Sequence, residues 1–189
     1  NTEEQDLMGR HAIIIALSSI FLFSSLDGII LSLFPAYATE LGIPAYEIGL
    51  ITFAFGAARV VTFFQANGIE SKIGKLRMFL IGSLVLAFAS FLTYESFNTH
   101  MFTICFLFFG FASGITYAPA IALVLKRWGG TRGAAAGIFE SLIGVGYFIG
   151  PLIGGIVSLY ASNAPYVLGF ILSIAVFAIQ VALSAIKNI

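Results

Sequence analysis

Six long stretches of this chain are apolar almost without interruption, separated by short polar breaks. They run from about His11 to Pro35, Tyr46 to Ala66, Leu76 to Tyr94, Met101 to Leu125, Gly133 to Tyr160 and Pro165 to Ile186. A helix needs about 20 apolar residues, at about 1.5 Å rise each, to cross a hydrocarbon layer of about 30 Å. All six stretches meet that length. Their continuous apolar character lacks the two-residue alternation of a membrane barrel, so helices are predicted. Turn signals mark the breaks: Gly42 with Pro44, Gly68 to Gly74, Ser96 to Thr99, Trp128 to Gly133, and Ser162 with Pro165. No break is long enough to be a separate soluble domain. The pattern predicts an all-α membrane protein in which residues 1–189 form a single six-helix unit.

Composition excludes several function classes. Hydrophobic residues make up 59% of the 189 and charged residues only 10%, against about 25% in soluble domains. Lys plus Arg and Asp plus Glu number nine each, so no basic field is present to recruit nucleic acid. The lone Cys105 lies in an apolar run, and His11 and His100 sit far apart in the sequence. Neither a cysteine-rich zinc site nor any other metal site is expected, nor is a cofactor. The polar first ten residues show no signal-peptide pattern, and a start at Asn1 raises the expectation of a fragment. An intramembrane serine protease needs G-x-S-G with a later helical His; Gly110-Phe111-Ala112-Ser113-Gly114 is one residue too long, and the sixth span has no His. Asn163-Ala164-Pro165 is out of order for a channel half-helix loop, and no phosphate loop is present. The chain is read as a non-enzyme.

Charge placement sets an orientation. Arg10 precedes the first span; Lys72, Lys75 and Arg77 join the second and third; Lys126, Arg127 and Arg132 join the fourth and fifth; Lys187 follows the sixth. The opposite loops, around Glu40, Glu95 and Asn163, hold no Lys or Arg. Basic residues near helix ends are retained on the cytoplasmic side. Both termini are therefore expected in the cytoplasm, and a prokaryotic plasma membrane is the expected location.

Three ionisable residues fall inside spans: Asp27, Arg59 and Glu140. Each costs about 2.5–3.5 kcal/mol at the bilayer centre on insertion scales, so such residues face the bundle interior and mark solute or proton paths. The alternative is a purely helix-pairing or snorkelling role. Counted from the nearest turns, Arg59 and Glu140 both lie about 10–12 Å from the basic edge. An Arg59–Glu140 pair, within the unit or across to a partner, is an expectation to test, with Asp27 nearer the opposite side. Along the fifth span, Gly133, Gly137, Glu140, Gly144, Tyr147, Pro151 and Gly155 share one stripe. Gly146, Gly150 and Gly154 form a second stripe about 120° away. Small residues let backbones approach, so this span is predicted to pack on two sides, with Glu140 against a neighbouring helix. Arg59 shares a small or polar face with Thr52, Gly56, Thr62 and Ala66, and the fourth span carries Gly110 and Gly114, then Tyr117 and Pro119.

The run Gly146-Tyr147-Phe148-Ile149-Gly150-Pro151-Leu152-Ile153-Gly154-Gly155 fits G-x-x-x-G-P-x-x-G-G and resembles the antiporter motif of the major facilitator superfamily. The family's other signature, G-x-x-x-D-[RK]-x-G-[RK]-[RK], joins the second and third spans. Lys72, Gly74 and Lys75 match it, and Arg77 follows its last basic place. Asn67 stands for the first Gly, Ser71 for the Asp with Glu70 beside it, and Leu76 for the last basic residue. The lock usually assigned to that Asp is thus not carried over. Such a degenerate copy, and the stretch from Arg132 to Glu140, resemble the C-terminal half of family members. An N-terminal half and a true half-size protein are the alternatives.

The resemblance implies one half of a major-facilitator-type bundle, built as two inverted three-helix repeats, with substrate held between halves near the midplane. The partners implied are a small-molecule substrate, the lipid bilayer, and a second six-helix half in the same chain or as a dimer partner. The implied function is secondary active transport by alternating access, coupled to protons at Asp27 or Glu140, with efflux-type antiport favoured. Matching helices places Asp27 on the cavity wall and Arg59 and Glu140 at the interface between halves. Uptake of an organic anion held by Arg59, or of a nutrient, is the second reading. A non-transporting six-helix scaffold subunit is the third.

Overall fold

In the computed structural model of the chain, residues 2–127 and 132–185 are described, with side-chain surroundings for 11–126 and 133–185. Among them are seven helices: α1 (Thr2–Ser32), α2 (Phe34–Glu40), α3 (Ala45–Ile73), α4 (Lys75–Tyr94), α5 (Thr99–Arg127), α6 (Arg132–Ser158) and α7 (Ala164–Ala185). All but α2 contain a segment long and apolar enough to cross a membrane. Much of the turn expected at Trp128–Gly133, and the side chains of Arg10, Arg127, Arg132 and Lys187, lie outside the described residues.

Two boundaries differ from the hydropathy reading for clear local reasons. The first span stops at Ser32, and Pro35 opens the separate short helix α2. A proline ring clashes with the carbonyl four residues back but fits the first turn of a new helix. At the other end, α3 passes through Gly68 and continues to Ile73. Gly74 alone separates α3 from α4, at φ +80°, a conformation that glycine adopts without a side-chain clash. Lys75 spans this corner to reach Glu70 at 3.4 Å.

α1 is the most deeply buried span and α5 the next. α3 lies along α5, α6 lies along α1, and α4 packs against α7 and α5. These pairings exchange into one another if α1, α3 and α4 form one unit and α5, α6 and α7 the other. Each unit crosses the bilayer three times, so the second is inverted relative to the first. Behind this arrangement, Gln180 of α7 is fully buried. It accepts a hydrogen bond from Ser83 of α4 at 3.0 Å and donates to Ser19 of α1 at 2.8 Å, tying three helices where lipid offers no hydrogen-bonding alternative.

The principal helix crossings are made at glycines. A Cβ on Gly114 of α5 would stand 2.7 Å from Thr62 Cβ of α3, and one on Gly110 would strike the Phe55 carbonyl. A Cβ on Gly146 of α6 would meet Ser24 and Ser25 of α1, and one on Gly150 would collide with the Ser25 backbone. Gly154 continues this seam against Leu33 and Ile29. In contrast, Gly133, Gly137, Gly144 and Gly155 have nothing within 4 Å of a Cβ position, and Glu140 is exposed. The stripe is thus divided: the close backbone approach expected at its glycines is not made, whereas Tyr147 and Pro151 meet Gly28 of α1 and Glu140 accepts a hydrogen bond from Tyr117 of α5. The closest backbone approach of α6 to α1 runs along the second glycine stripe, at Gly146 and Gly150.

Gly150→Leu is expected to lower unfolding free energy in detergent by at least about 1–3 kcal/mol, the ordinary cost of overpacking, because the obstacle is backbone. Gly144→Leu should change it little. Thermal unfolding of the two purified variants checks the contrast.

Candidate functional site

The Asp27 carboxylate, on α1, is completely buried. Arg59 of α3 donates from Nη1 to Oδ2 at 2.9 Å, Ser113 of α5 from its hydroxyl to Oδ1 at 2.7 Å, and Tyr147 of α6 from its phenol to Oδ2 at 3.4 Å. Four helices thus converge on one carboxylate. An unpaired charge in such a medium costs several kcal/mol, and charge pairing with added hydrogen bonds is what makes burial tolerable.

The local sequence explains the convergence. Each group lies beside a glycine contact. Gly28, next to Asp27, presses on Pro151, a Cβ there standing 2.9 Å from Pro151 Cδ and 3.2 Å from Tyr147 Cα. Gly114, next to Ser113, abuts the Arg59 carbonyl, and Gly146 precedes Tyr147 on the seam with α1. Short polar side chains can span these crossings because the backbones nearly touch.

Arg59 is further enclosed by aromatic rings. Its guanidinium carbon lies 5.9 Å from the Phe23 centroid, 6.0 Å from Phe55, 5.6 Å from Phe63 and 5.8 Å from Tyr117, within cation–π range. The Tyr117 hydroxyl donates to Glu140 Oε1 at 3.1 Å. Its ring packs edge-on to Phe139 at 5.1 Å. Tyr117 thus touches both Arg59 and Glu140.

The structure corrects the expected pairing and depths. Among the described residues, Arg59 forms its ion pair with Asp27, not Glu140. The Asp27 and Arg59 side chains meet at one level, with Asp27 five residues before the end of α1 at Ser32. The error came from measuring Arg59 against a turn at Asn67. Because α3 runs to Ile73, Arg59 is fourteen residues from its end, about 21 Å at helical rise, which brings it level with Asp27.

The remaining motif residues do other things. Gly146, Gly150 and Gly154 build the α1–α6 seam, Pro151 seats Gly28, and Gly155 faces open space. Gly74 makes the α3–α4 corner and Lys75 braces it, while Lys72 and Arg77 are exposed. The Lys72–Arg77 motif lies at the α3–α4 corner, apart from Asp27 and its bonded partners. Among the described residues no group of His, Cys, Asp or Glu could hold a metal ion.

Sequence reasoning did not assign Ser113, Tyr117 or Tyr147 to the site. Signals existed: Tyr117 follows Ser113 by four residues and so shares its face, and Tyr147 follows Glu140 by seven. Phe23, Phe55 and Phe63 had no such signal among 20 phenylalanines.

Comparison with known proteins agrees with this architecture. A family model described as Major Facilitator Superfamily matches residues 16–187. The chain is 22% identical over 166 residues to the quinolone resistance protein NorA of Staphylococcus aureus strain MRSA252, covering 87% of this chain and 43% of that protein. It is 28% identical over 136 residues to the riboflavin transporter RibZ of Clostridioides difficile strain 630, covering 71% of this chain and 30% of that one. The chain spans less than half the length of these curated relatives. With six helices able to cross a bilayer and a family match along nearly its whole length, the chain is a multi-pass integral membrane protein that belongs to the Major Facilitator Superfamily, a family of transporters.

Proposed function

We propose that the protein moves a small solute across the membrane by alternating access, in exchange for protons, with Asp27, Arg59 and Glu140 as the coupling groups. The observation that carries this reading is the charge count at the helix junction. Two carboxylates, one buried and one exposed, lie about a single guanidinium: Asp27 pairs with Arg59 and accepts from Tyr147, while Glu140 is joined to the cluster through Tyr117, whose ring faces Arg59. Such a cluster holds one negative charge in excess, which a proton can neutralise. Ionisable groups in membrane segments are functional candidates by default.

In this reading residues 1–189 form one six-helix domain, and a second such half, in the same chain or as a partner copy, closes the substrate cavity. The open stripe of α6 that carries Glu140 supports placing the second half, or the cavity, on that side. Placement of both termini in the cytoplasm rests on the basic residues at the Lys72–Arg77 end. Likeness to a quinolone resistance protein favours export over uptake.

Reconstituted full-length protein tests the reading. Glu140→Gln is expected to cut substrate-driven proton movement at least tenfold while leaving membrane insertion intact, and Asp27→Asn should do the same. Exchange of labelled for unlabelled substrate, which needs no net proton transfer, should survive better than net flux in Glu140→Gln. Unchanged proton movement in both variants would remove these carboxylates from coupling.

Arg59→Ala should be more damaging to stability than Asp27→Asn. It leaves Asp27 buried and unpaired, a loss of about 3–5 kcal/mol, whereas Asn keeps the shape without the charge. Combining Arg59→Ala with Asp27→Asn should recover part of the loss, measured as the unfolding midpoint in detergent.

A further inference from the structure

At the end of the bundle that carries the basic residues, a cavity of about 540 Å³ opens between α1, the α3–α4 corner and α5. Its walls are of two kinds. Ile15 of α1 and Phe79 of α4 are almost fully buried and form an apolar inner wall with Ala12 and Leu123. Lys75 and Arg77 line the same cavity, the first partly buried and the second exposed, so its charges stand at the mouth. Lys126, exposed and three residues beyond Leu123 on α5, adds a third cation on that helix face. Glu70 pairs with Lys75 at 3.4 Å, and among the described residues no carboxylate lies within ion-pair distance of Arg77. Ser71 fills the place at which the family signature has an acid, so among the described residues the corner keeps a surplus of positive charge. The lining also takes in the first turn of α4, where Gly74 gives the N–H groups of Lys75, Leu76 and Arg77 no side-chain cap.

We propose that this cavity holds the phosphate diester of an anionic membrane lipid. Lys75 and Arg77 meet the phosphate, and the inner wall meets the glycerol and the first methylenes of an acyl chain. Basic pockets between helices at headgroup depth favour such lipids, each basic side chain strengthening the attraction about fivefold. A choline or ethanolamine headgroup would bring a cation of its own to a rim of cations. A free phosphate would satisfy the charges but leave the apolar wall facing water, whereas a lipid covers that wall with hydrocarbon. The cavity shares no residue with the Asp27 cluster. A lipid seated there braces α1, α4 and α5 at their basic ends and makes the stability of the bundle depend on the lipid around it.

The test releases the full-length protein from nanodiscs of mixed phosphatidylglycerol and phosphatidylcholine into native mass spectrometry and measures the lipid it retains. Phosphatidylglycerol is expected to be retained in preference. Arg77→Gln should lower that retention about fivefold, and Arg77→Lys, which keeps the charge, should preserve most of it. Ala12→Trp fills the cavity without altering any charge and should lower retention as much as Arg77→Gln. Lys72→Gln removes a cation that does not line the cavity and should change little. Unfolding midpoints of the variants, taken in the same nanodiscs, show that each is folded. Equal retention of the two lipids would overturn the proposal. So would retention indifferent to Ala12→Trp, or as sensitive to Lys72→Gln as to Arg77→Gln, since both describe a diffuse surface field and not a seat for one lipid. In nanodiscs of phosphatidylcholine alone, inorganic phosphate or glycerol phosphate should leave the unfolding midpoint unmoved. A rise as large as phosphatidylglycerol gives would assign the cavity to a soluble phosphate and overturn the lipid.

Discussion

A carboxylate shut away from water among membrane helices has to find its compensation within a few ångströms, and at Asp27 that requirement fixes the mutual positions of α1, α3, α5 and α6. Arg59 supplies the charge, Ser113 and Tyr147 the remaining hydrogen bonds. Arg59 and Tyr147 are long, but the Ser113 hydroxyl could not reach across a helix contact spaced by leucines or phenylalanines. The glycines at 28, 114 and 146 remove that spacing. The buried charge and the glycine crossings are thus linked, since the close backbones bring Ser113 within reach of the carboxylate and draw α3 and α6 in beside it.

The cluster also joins the two three-helix units. Asp27 and Arg59 come from the first, on α1 and α3; Ser113, Tyr117, Tyr147 and Glu140 come from the second, on α5 and α6. One unit contributes an ion pair and the other contributes hydroxyls and a further carboxylate. Any change in the charge of the cluster is therefore felt as a change in the bonding between the units, and any shift between units alters the hydrogen bonds to Asp27. A hydrogen-bond network of this kind, in a medium of low dielectric, responds strongly to one added proton.

Much of this was legible in the amino-acid sequence. The six spans follow from continuous apolar runs, because length and hydropathy alone decide what can cross a bilayer. Asp27, Arg59 and Glu140 stand out for the same reason: charge is costly there. Partner choice was not legible, because it depends on where each helix begins relative to its neighbours. Seven residues of polar helix after Ala66 moved Arg59 to the level of Asp27. The side on which α6 packs was likewise ambiguous, since both of its glycine stripes satisfy the same spacing, and only the fit to Ser24 and Ser25 distinguishes them. Gln180, buried and bonded to two serines, sits in a span whose apolar run gave no hint of a polar tie.

The seam between α1 and α6 has a consequence for how this chain can drift over generations. At Gly146 and Gly150 the wild-type residue is already the smallest available, and the opposing atoms belong to Ser24 and Ser25 and their backbone. Every single replacement there adds volume; at Gly146 the nearest obstacle is the Ser24 side chain, but at Gly150 it is the Ser25 main chain, which no single change on α1 can retract. Accepted change at Gly150 must come in coordinated steps that shift α1 bodily. The glycines on the open stripe, 137 and 144 among them, carry no such linkage within these six helices. Two stripes that look alike in composition should therefore accumulate substitutions at very different rates, and the slow one marks the contact.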